Sequence, residues 1–268
     1  MKTLMPIGGS MNHENARIMR EFVRRAGGKR ARILILPQAS ALEDTGPTYV
    51  QQCLELGAKE ARSLEFRRRD EADTPENLQA IRRATGIFFT GGAQMRIAHL
   101  IGGTQLEGEL LRAYQRGCVA AGTSAGASIL SKTMIAYGKS GPTPRERIVQ
   151  FSAGLGFTDR FTFDQHFRQR DRLGRLMYAV ACHPGILGVG LDEDTAVIVE
   201  DDTRLTVCGS GAATIVDGRD ITASDIPEIE KGGAVAIANL KVHVLTDGCT
   251  YDAQSGEVFI PPKVSLDE

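Results

Sequence analysis

The run Ala31-Arg32-Ile33-Leu34-Ile35-Leu36, closed by Pro37, constrains the fold more than any other stretch of the chain. Its aliphatic series from Ile33 to Leu36 leaves no polar face, so a strand here must be covered on both sides, as an inner strand of a parallel sheet is. The same alternation surrounds it. Residues 2–7 (KTLMPI) stop at Gly8-Gly9-Ser10 and lead into a helix-like stretch from about Asn12 to Ala26, closed by Gly27-Gly28. After Pro37 come a helix from about Thr48 to Leu56, a weaker strand from Ala61 to Phe66 and a helix from Pro75 to Ala84. Gly86 to Phe89 is an apolar run ending in Thr90-Gly91-Gly92. A helix from Gln105 to Gly117, a strand Val119-Ala120-Ala121 and a helix start from Gly126 to Leu130 complete the series. Strands alternating with helices imply βαβ units with right-handed crossovers, and hence a doubly wound α/β fold with a mostly parallel sheet.

From about Ala196 the texture changes. The β-branched runs Ala196–Val199, Thr203–Val207, Ala213–Val216, Val235–Ala238 and Lys241–Leu245, separated by Gly and Asp, predict antiparallel strands. These either extend the sheet or form a small β appendage. No Pro/Ser-rich linker or internal repeat interrupts the 268 residues, so one domain with a β-rich C-terminal portion is expected.

Lys and Arg total 32 and Asp and Glu 33, a formal net charge of -1, so no global field draws nucleic acid or an anionic membrane. The five cysteines, Cys53, Cys118, Cys182, Cys208 and Cys249, are scattered and form no C-x-x-C. That pattern argues against a metal site or a disulfide framework and for reduced thiols in the cytosol. The N-terminal apolar stretch is too brief for a signal-peptide core, and no run of about 18 apolar residues occurs. A cytoplasmic protein with no membrane span, metal or cofactor is the expectation.

The sharpest chemical signal is Gly122-Thr123-Ser124-Ala125-Gly126, a G-x-S-x-G between a short apolar strand and a helix start. Small neighbours allow a turn tight enough to project the Ser124 hydroxyl, with free N–H groups of the helix start beside it. The alternative is a Gly/Ser-rich turn that caps a helix or binds phosphate. A serine nucleophile needs a base. Of five histidines, His13 and His99 sit on helical stretches, His183 precedes Pro184 and His243 lies in a late strand; His166, in Phe163-Asp164-Gln165-His166-Phe167, stands apart. Arg168, Arg170, Arg172 and Arg175 follow it, and on a helix Arg168, Arg172 and Arg175 would share one face. Guanidinium groups without lysine suit bidentate recognition of anionic substrate groups. An acid to orient the imidazole could come from Asp192-Glu193-Asp194, among which the residues alone give no choice.

The ordered blocks TGGAQ (Thr90 to Gln94), GTSAGAS (Gly122 to Ser128), DQHFRQRDRLGRL (Asp164 to Leu176) and GLDEDTA (Gly190 to Ala196) resemble the cyanophycinase branch of the serine peptidase family that also contains aspartyl dipeptidase. The match runs from Ile7-Gly8-Gly9-Ser10 to beyond Thr195. The resemblance implies Ser124 as nucleophile, His166 as general base and Glu193 as orienting acid. Ser, His, acid differs from the α/β-hydrolase order of Ser, acid, His, and the implied fold is instead flavodoxin-like, as in class I glutamine amidotransferase domains. It further implies an oxyanion hole from N–H groups near Gly92 and Ala125, and a substrate pocket of Gln94, Asp164, Gln165, Arg170, Arg172 and Arg175. The implied substrate is cyanophycin, an aspartate backbone with arginine joined to each β-carboxyl, released as β-aspartyl-arginine dipeptides by a homodimer. On this reading the arginines confer specificity for the polymer. Two alternatives stand beside it: an aspartyl or isoaspartyl dipeptidase of the same family, and a noncatalytic domain holding an anion at Gly8-Gly9 and Gly91-Gly92.

Overall fold

The computed structural model describes residues 1–12 and 16–262; His13 therefore lies outside the described residues. Along the chain come β1 (Thr3–Ile7), α1 (Arg17–Arg25), β2 (Arg32–Leu36), α2 (Thr45–Glu55), β3 (Glu60–Ser63), α3 (Pro75–Arg83), β4 (Gly86–Phe89), α4 (Gln94–Ile101), α5 (Gln105–Gln115) and β5 (Val119–Thr123). A single helical turn, α6 (Ala125–Ser128), leads to the hairpin β6 (Thr133–Gly138) and β7 (Val149–Ala153), then β8 (Phe161–Asp164), α7 (Leu173–Cys182) and β9 (Leu187–Leu191). The remainder is β: β10 (Thr195–Glu200), β11 (Arg204–Gly209), β12 (Ala212–Asp217), the two-residue β13 (Ala223–Ser224) and β14 (Ile237–Ala238), β15 (Lys241–Thr246), β16 (Thr250–Asp252) and β17 (Val258–Phe259).

The main sheet has nine strands in the order β17-β16-β11-β10-β1-β5-β4-β2-β3. From β3 to β1 the neighbours are parallel, as the strand–helix alternation requires. From β1 to β17 they are antiparallel, and two of these pairs, β10–β11 and β16–β17, are hairpins closed by short turns. The ARILIL run behaves as its composition dictates. Ile33 and Ile35 join the core under α1 and α2, while Leu34 and Leu36 join the core on the opposite face. Each fully buried aliphatic side chain of this kind contributes about 1.5–3 kcal/mol. Ala196 and Ile198 against Val197 and Val199 repeat that division in β10.

Both readings of the C-terminal strands are realised in different parts. β10, β11, β16 and β17 extend the main sheet, whereas β15-β12-β9-β8 form a second sheet of four. Its Phe161, Phe163, Val189, Leu191, Ile215 and Leu245 share one core with Leu34, Leu36, Ile87 and Phe89 of the main sheet. On its other side Val216 packs with Leu176 and Val180 of α7. Asp217 and Tyr251 bind the sheets together across a 2.9 Å hydrogen bond donated by the phenol.

This layering sets up the site. β1 and β5 run parallel with Ile7 opposite Thr123, and β8 and β9 run parallel with Asp164 opposite Gly190. The carboxyl ends of both parallel pairs meet, the end of an α/β sheet where ligands bind.

Candidate active site

Ser124 follows the last residue of β5 and adopts φ 54°, ψ −114°. A non-glycine residue held there costs on the order of 1–3 kcal/mol, so its surroundings must enforce it. They do so by close approach. A Cβ on Gly122 would lie 2.0 Å from the Gly126 carbonyl oxygen, and one on Gly126 2.2 Å from that of Phe89. The Ser124 N–H donates to Ile7 at 2.9 Å, locking the turn onto β1. Gly91 sits beside Ser124, a Cβ there falling 3.4 Å from Ser124 Cβ. Among the described residues, neither the Gly92 nor the Ala125 N–H donates to another backbone carbonyl. Both are therefore free to serve an oxyanion. Gly92 has φ +137° and lies so close to Ala39 that a Cβ would stand 2.1 Å from its carbonyl oxygen.

His166 lies two residues beyond β8. Its Nε2 is 2.9 Å from Ser124 Oγ and its Nδ1 2.6 Å from Glu193 Oε1. The backbone here is also left-handed, φ 46°, and the His166 N–H donates to Gly8 at 2.8 Å. Gly9 makes room for the ring: a Cβ there would fall 2.4 Å from His166 Cε1. A Cβ on Gly8 would fall 1.9 Å from the Asp192 carbonyl oxygen. The Gly8-Gly9 pair thus admits the imidazole and the 192–194 turn to the end of β1, a role that differs from an anion cradle and that no local pattern reveals. Of the remaining histidines, His99 is exposed on α4, His183 packs edge-on against Phe151 at 5.0 Å and His243 lies 5.5 Å from the Tyr251 ring.

The three adjacent acids have three different fates. Asp192 is buried and accepts the N–H groups of Arg168 at 3.1 Å and Ala212 at 3.2 Å. Asp194 accepts from Asn12 N–H at 2.8 Å and from Ser210 Oγ at 2.7 Å. Only Glu193 turns its carboxylate to the imidazole, and that hydrogen bond holds its pKa below the usual carboxylate range. Gln169, absent from the sequence candidates, braces it by accepting the Glu193 N–H at 3.1 Å. Glu193→Gln is expected to lower kcat/KM by about 10²-fold or more, since the neutral amide cannot stabilise an imidazolium. Asp192→Asn should change kcat/KM less than about tenfold but reduce Tm, because its amide group would face N–H donors at a cost of about 1–3 kcal/mol. Steady-state kinetics beside thermal melts separate the two.

The arginine series does not form one helical face. Asp171 takes φ 47° and breaks it into a 3-10 turn over Arg168–Arg170 and the helix α7, so Arg168 points outward with its side chain 81% exposed. Arg170 is exposed as well, and no ion pair engages it among the described residues. Arg172 and Arg175 turn inward to the buried Asp164, with Arg172 Nη1 at 3.3 Å from Oδ1 and Arg175 Nε at 2.6 Å from Oδ2. Gln94, whose Nε2 donates to Ala136 at 2.7 Å, ties the Gly91-Gly92 loop to β6. Gln165 Oε1 lies 3.4 Å from Ser124 Oγ. Among the described residues no group of three His, Cys, Asp or Glu is disposed to hold a metal ion, and no helix is long and apolar enough to cross a membrane.

A doubly wound sheet carrying this cluster at its carboxyl edge defines a hydrolase, and the comparisons with known proteins agree on which kind. The model of peptidase family S51 matches residues 4–207. The cyanophycinase of Trichormus variabilis is 37% identical over 249 residues, 91% of this chain and 83% of the relative. That of Synechococcus elongatus is 38% identical over 266 residues, 97% of this chain and 83% of the relative. A crystal structure of a peptidase from an acI-B1 Actinobacterium superposes with a TM-score of 0.67 at 22% identity, covering 94% of this chain and 97% of its own, a likeness of fold. The protein is a peptidase. It belongs to peptidase family S51.

Proposed function

We propose that this chain is a serine exopeptidase that hydrolyses cyanophycin to β-Asp-Arg dipeptides through an acyl-enzyme on Ser124. The observation that carries the reading is the continuous relay from Ser124 Oγ through His166 to Glu193, at 2.9 and 2.6 Å, built on a strained strand-to-helix turn. The cyanophycinase relatives supply the substrate.

In this mechanism Glu193 accepts from Nδ1–H and so leaves Nε2 with its lone pair toward Ser124. As Oγ attacks the scissile backbone carbonyl, its proton passes to Nε2 and the charge on the carbonyl oxygen develops between the Gly92 and Ala125 N–H groups. His166 then returns the proton to the leaving amine, and a water activated by the same imidazole releases the acyl group. Each arginine of the polymer keeps its own α-carboxylate, and the exposed, unpaired guanidinium of Arg170 is the group that meets one. Turnover takes place in the cytosol by a homodimer; the scattered free cysteines favour that compartment.

Incubation with purified cyanophycin, followed by mass spectrometry of the soluble products, tests the proposal. β-Asp-Arg is the expected species. Free arginine as the first product, or no soluble product at all, would refute it.

A further inference from the structure

The structure assigns a positioning role to Gln38: through the turn that it anchors, this buried amide sets where the Gly92 N–H points, and so shapes one half of the oxyanion hole without touching substrate. This rests on the reading of Gly92 as an oxyanion donor. Three observations carry it.

First, Gln38 is a polar residue placed where an apolar one would pack at lower cost. Its side chain is buried, and its chain neighbours Leu36 and Ala39 belong with Leu64 to the main core. Gln38 Nε2 donates to the Leu64 carbonyl at 2.7 Å, whereas its Oε1 has no hydrogen-bond partner among the described residues. A backbone carbonyl only accepts, so the bond to Leu64 dictates which end of the amide is left bare. Burying an amide with one end unsatisfied opposes folding, and the fold retains it for the bond that its other end makes.

Second, that bond pins a turn. The Ser40 N–H donates to the Pro37 carbonyl at 2.9 Å, which makes Gln38 and Ala39 the two central residues of a turn just beyond β2. On one side Gln38 ties it to Leu64, whose own N–H donates to Ile35 at 3.0 Å and extends β3 along β2. On the other side Ser40 Oγ shares a 2.7 Å hydrogen bond with Thr45 Oγ1 at the start of α2. The turn is thereby held between β3 and α2.

Third, Gly92 rests on this turn. The Ala93 N–H donates to the Ala39 carbonyl at 3.0 Å. A Cβ on Gly92 would fall 2.4 Å from the Ala39 carbonyl carbon and 2.9 Å from the Ser40 nitrogen. The Ala39 carbonyl therefore fixes the peptide between Gly92 and Ala93, and the left-handed Gly92 keeps its own N–H out of that bond. A displaced turn is a displaced donor, and an oxyanion donor acts only within about 2.7–3.1 Å of the developing charge. None of the hydrogen bonds that His166 and Glu193 make among the described residues reaches residues 37–40, so the turn bears on the oxyanion and not on the base.

Gln38→Met keeps the length and burial of the side chain and removes the donor. Two rates are read on the full chain: turnover of β-Asp-Arg oligomers across the range in which imidazole titrates, and inactivation by a small uncharged fluorophosphonate, whose phosphoryl oxygen occupies the oxyanion hole. In Gln38→Met, kcat and the inactivation rate are expected to fall together by about tenfold or more, with KM near that of the native chain. The ascending limb of kcat/KM should stay at the native pH, because His166 and Glu193 keep their partners. A lower Tm with both rates unchanged would reduce Gln38 to a support of the fold and overturn the proposal; so would a rise in KM alone or a displaced limb. Should Gln38→Met fail to fold, the same measurements are made on Ser40→Ala, which loosens the turn from α2 with Gln38 in place. There the two rates should fall together by about threefold, and unchanged rates would overturn the proposal equally. Failure of the native chain to react with the fluorophosphonate would instead sink the serine-peptidase reading, and reaction without turnover would sink the substrate while leaving inactivation to test Gln38.

Discussion

Ser124→Ala is expected to lower kcat by at least about 10³-fold, because nucleophile and base act as a unit and no neighbouring hydroxyl can replace Oγ. The fold should survive. Among the described residues the Ser124 hydroxyl hydrogen-bonds His166 and Gln165 alone, while the turn itself is held by the bond from its N–H to Ile7 and by the close approach of Gly122 and Gly126. Alanine keeps the Cβ and bears the same backbone cost at φ 54°, so the variant should melt with the native protein. Turnover of cyanophycin beside a thermal melt is the measurement. A variant retaining more than about a tenth of native activity would remove Ser124 from the reaction.

His166→Ala should be comparably damaging, with alanine at His99, His183 or His243 as near-neutral controls, since among the described residues His166 is the histidine that hydrogen-bonds Ser124. The pH profile gives the same residue a second signature. Burial lowers the His166 pKa, the Arg170 and Arg172 guanidiniums lower it further, and Glu193 opposes them through its hydrogen bond and charge; the net shift is downward. As the proposed base, His166 works only when neutral, so on that proposal activity rises as pH climbs through that pKa and is lost below it. The ascending limb of kcat/KM is therefore expected below the ordinary imidazole value of about 6.5. In Glu193→Gln the opposing interaction disappears, and the limb should move to still lower pH as the rate falls. A limb above the ordinary value, or a flat profile in the native protein, would contradict this electrostatic account.

Much of this was legible in the chain. ARILIL announces a strand buried on both faces because burial of four aliphatic residues in succession is a local requirement with few solutions, and β2 divides its side chains between the two cores. G-x-S-x-G announces a tight strand-to-helix turn because only small residues permit one, and Ser124 occupies it between β5 and α6. Where the sequence left two answers for the late strands, the tertiary structure used both. Hairpin length is local, but the choice of sheet depends on which apolar face each strand must cover.

The chain by itself determined the alternation of strands and helices, the parallel sheet and the tight turn that carries Ser124 at its edge, all consequences of residues within a few positions of one another. Only the tertiary structure decided among Asp192, Glu193 and Asp194, since their chemistry is alike and their difference lies in partners 20 or more residues away: Ala212 for Asp192, His166 for Glu193, Asn12 for Asp194. It also decided the arginines. Spacing alone put Arg168, Arg172 and Arg175 on one face, but a left-handed Asp171 interrupts the helix, and a carboxylate at the end of β8 draws two of the three inward. The same holds for Gly8 and Gly9, whose lack of a side chain reads locally as a turn and acquires its purpose only when the His166 ring and the Asp192 carbonyl arrive from elsewhere in the chain. Periodicity and turn chemistry act over a few residues, whereas a partner is chosen by whichever distant group the packed layers bring within about 3 Å.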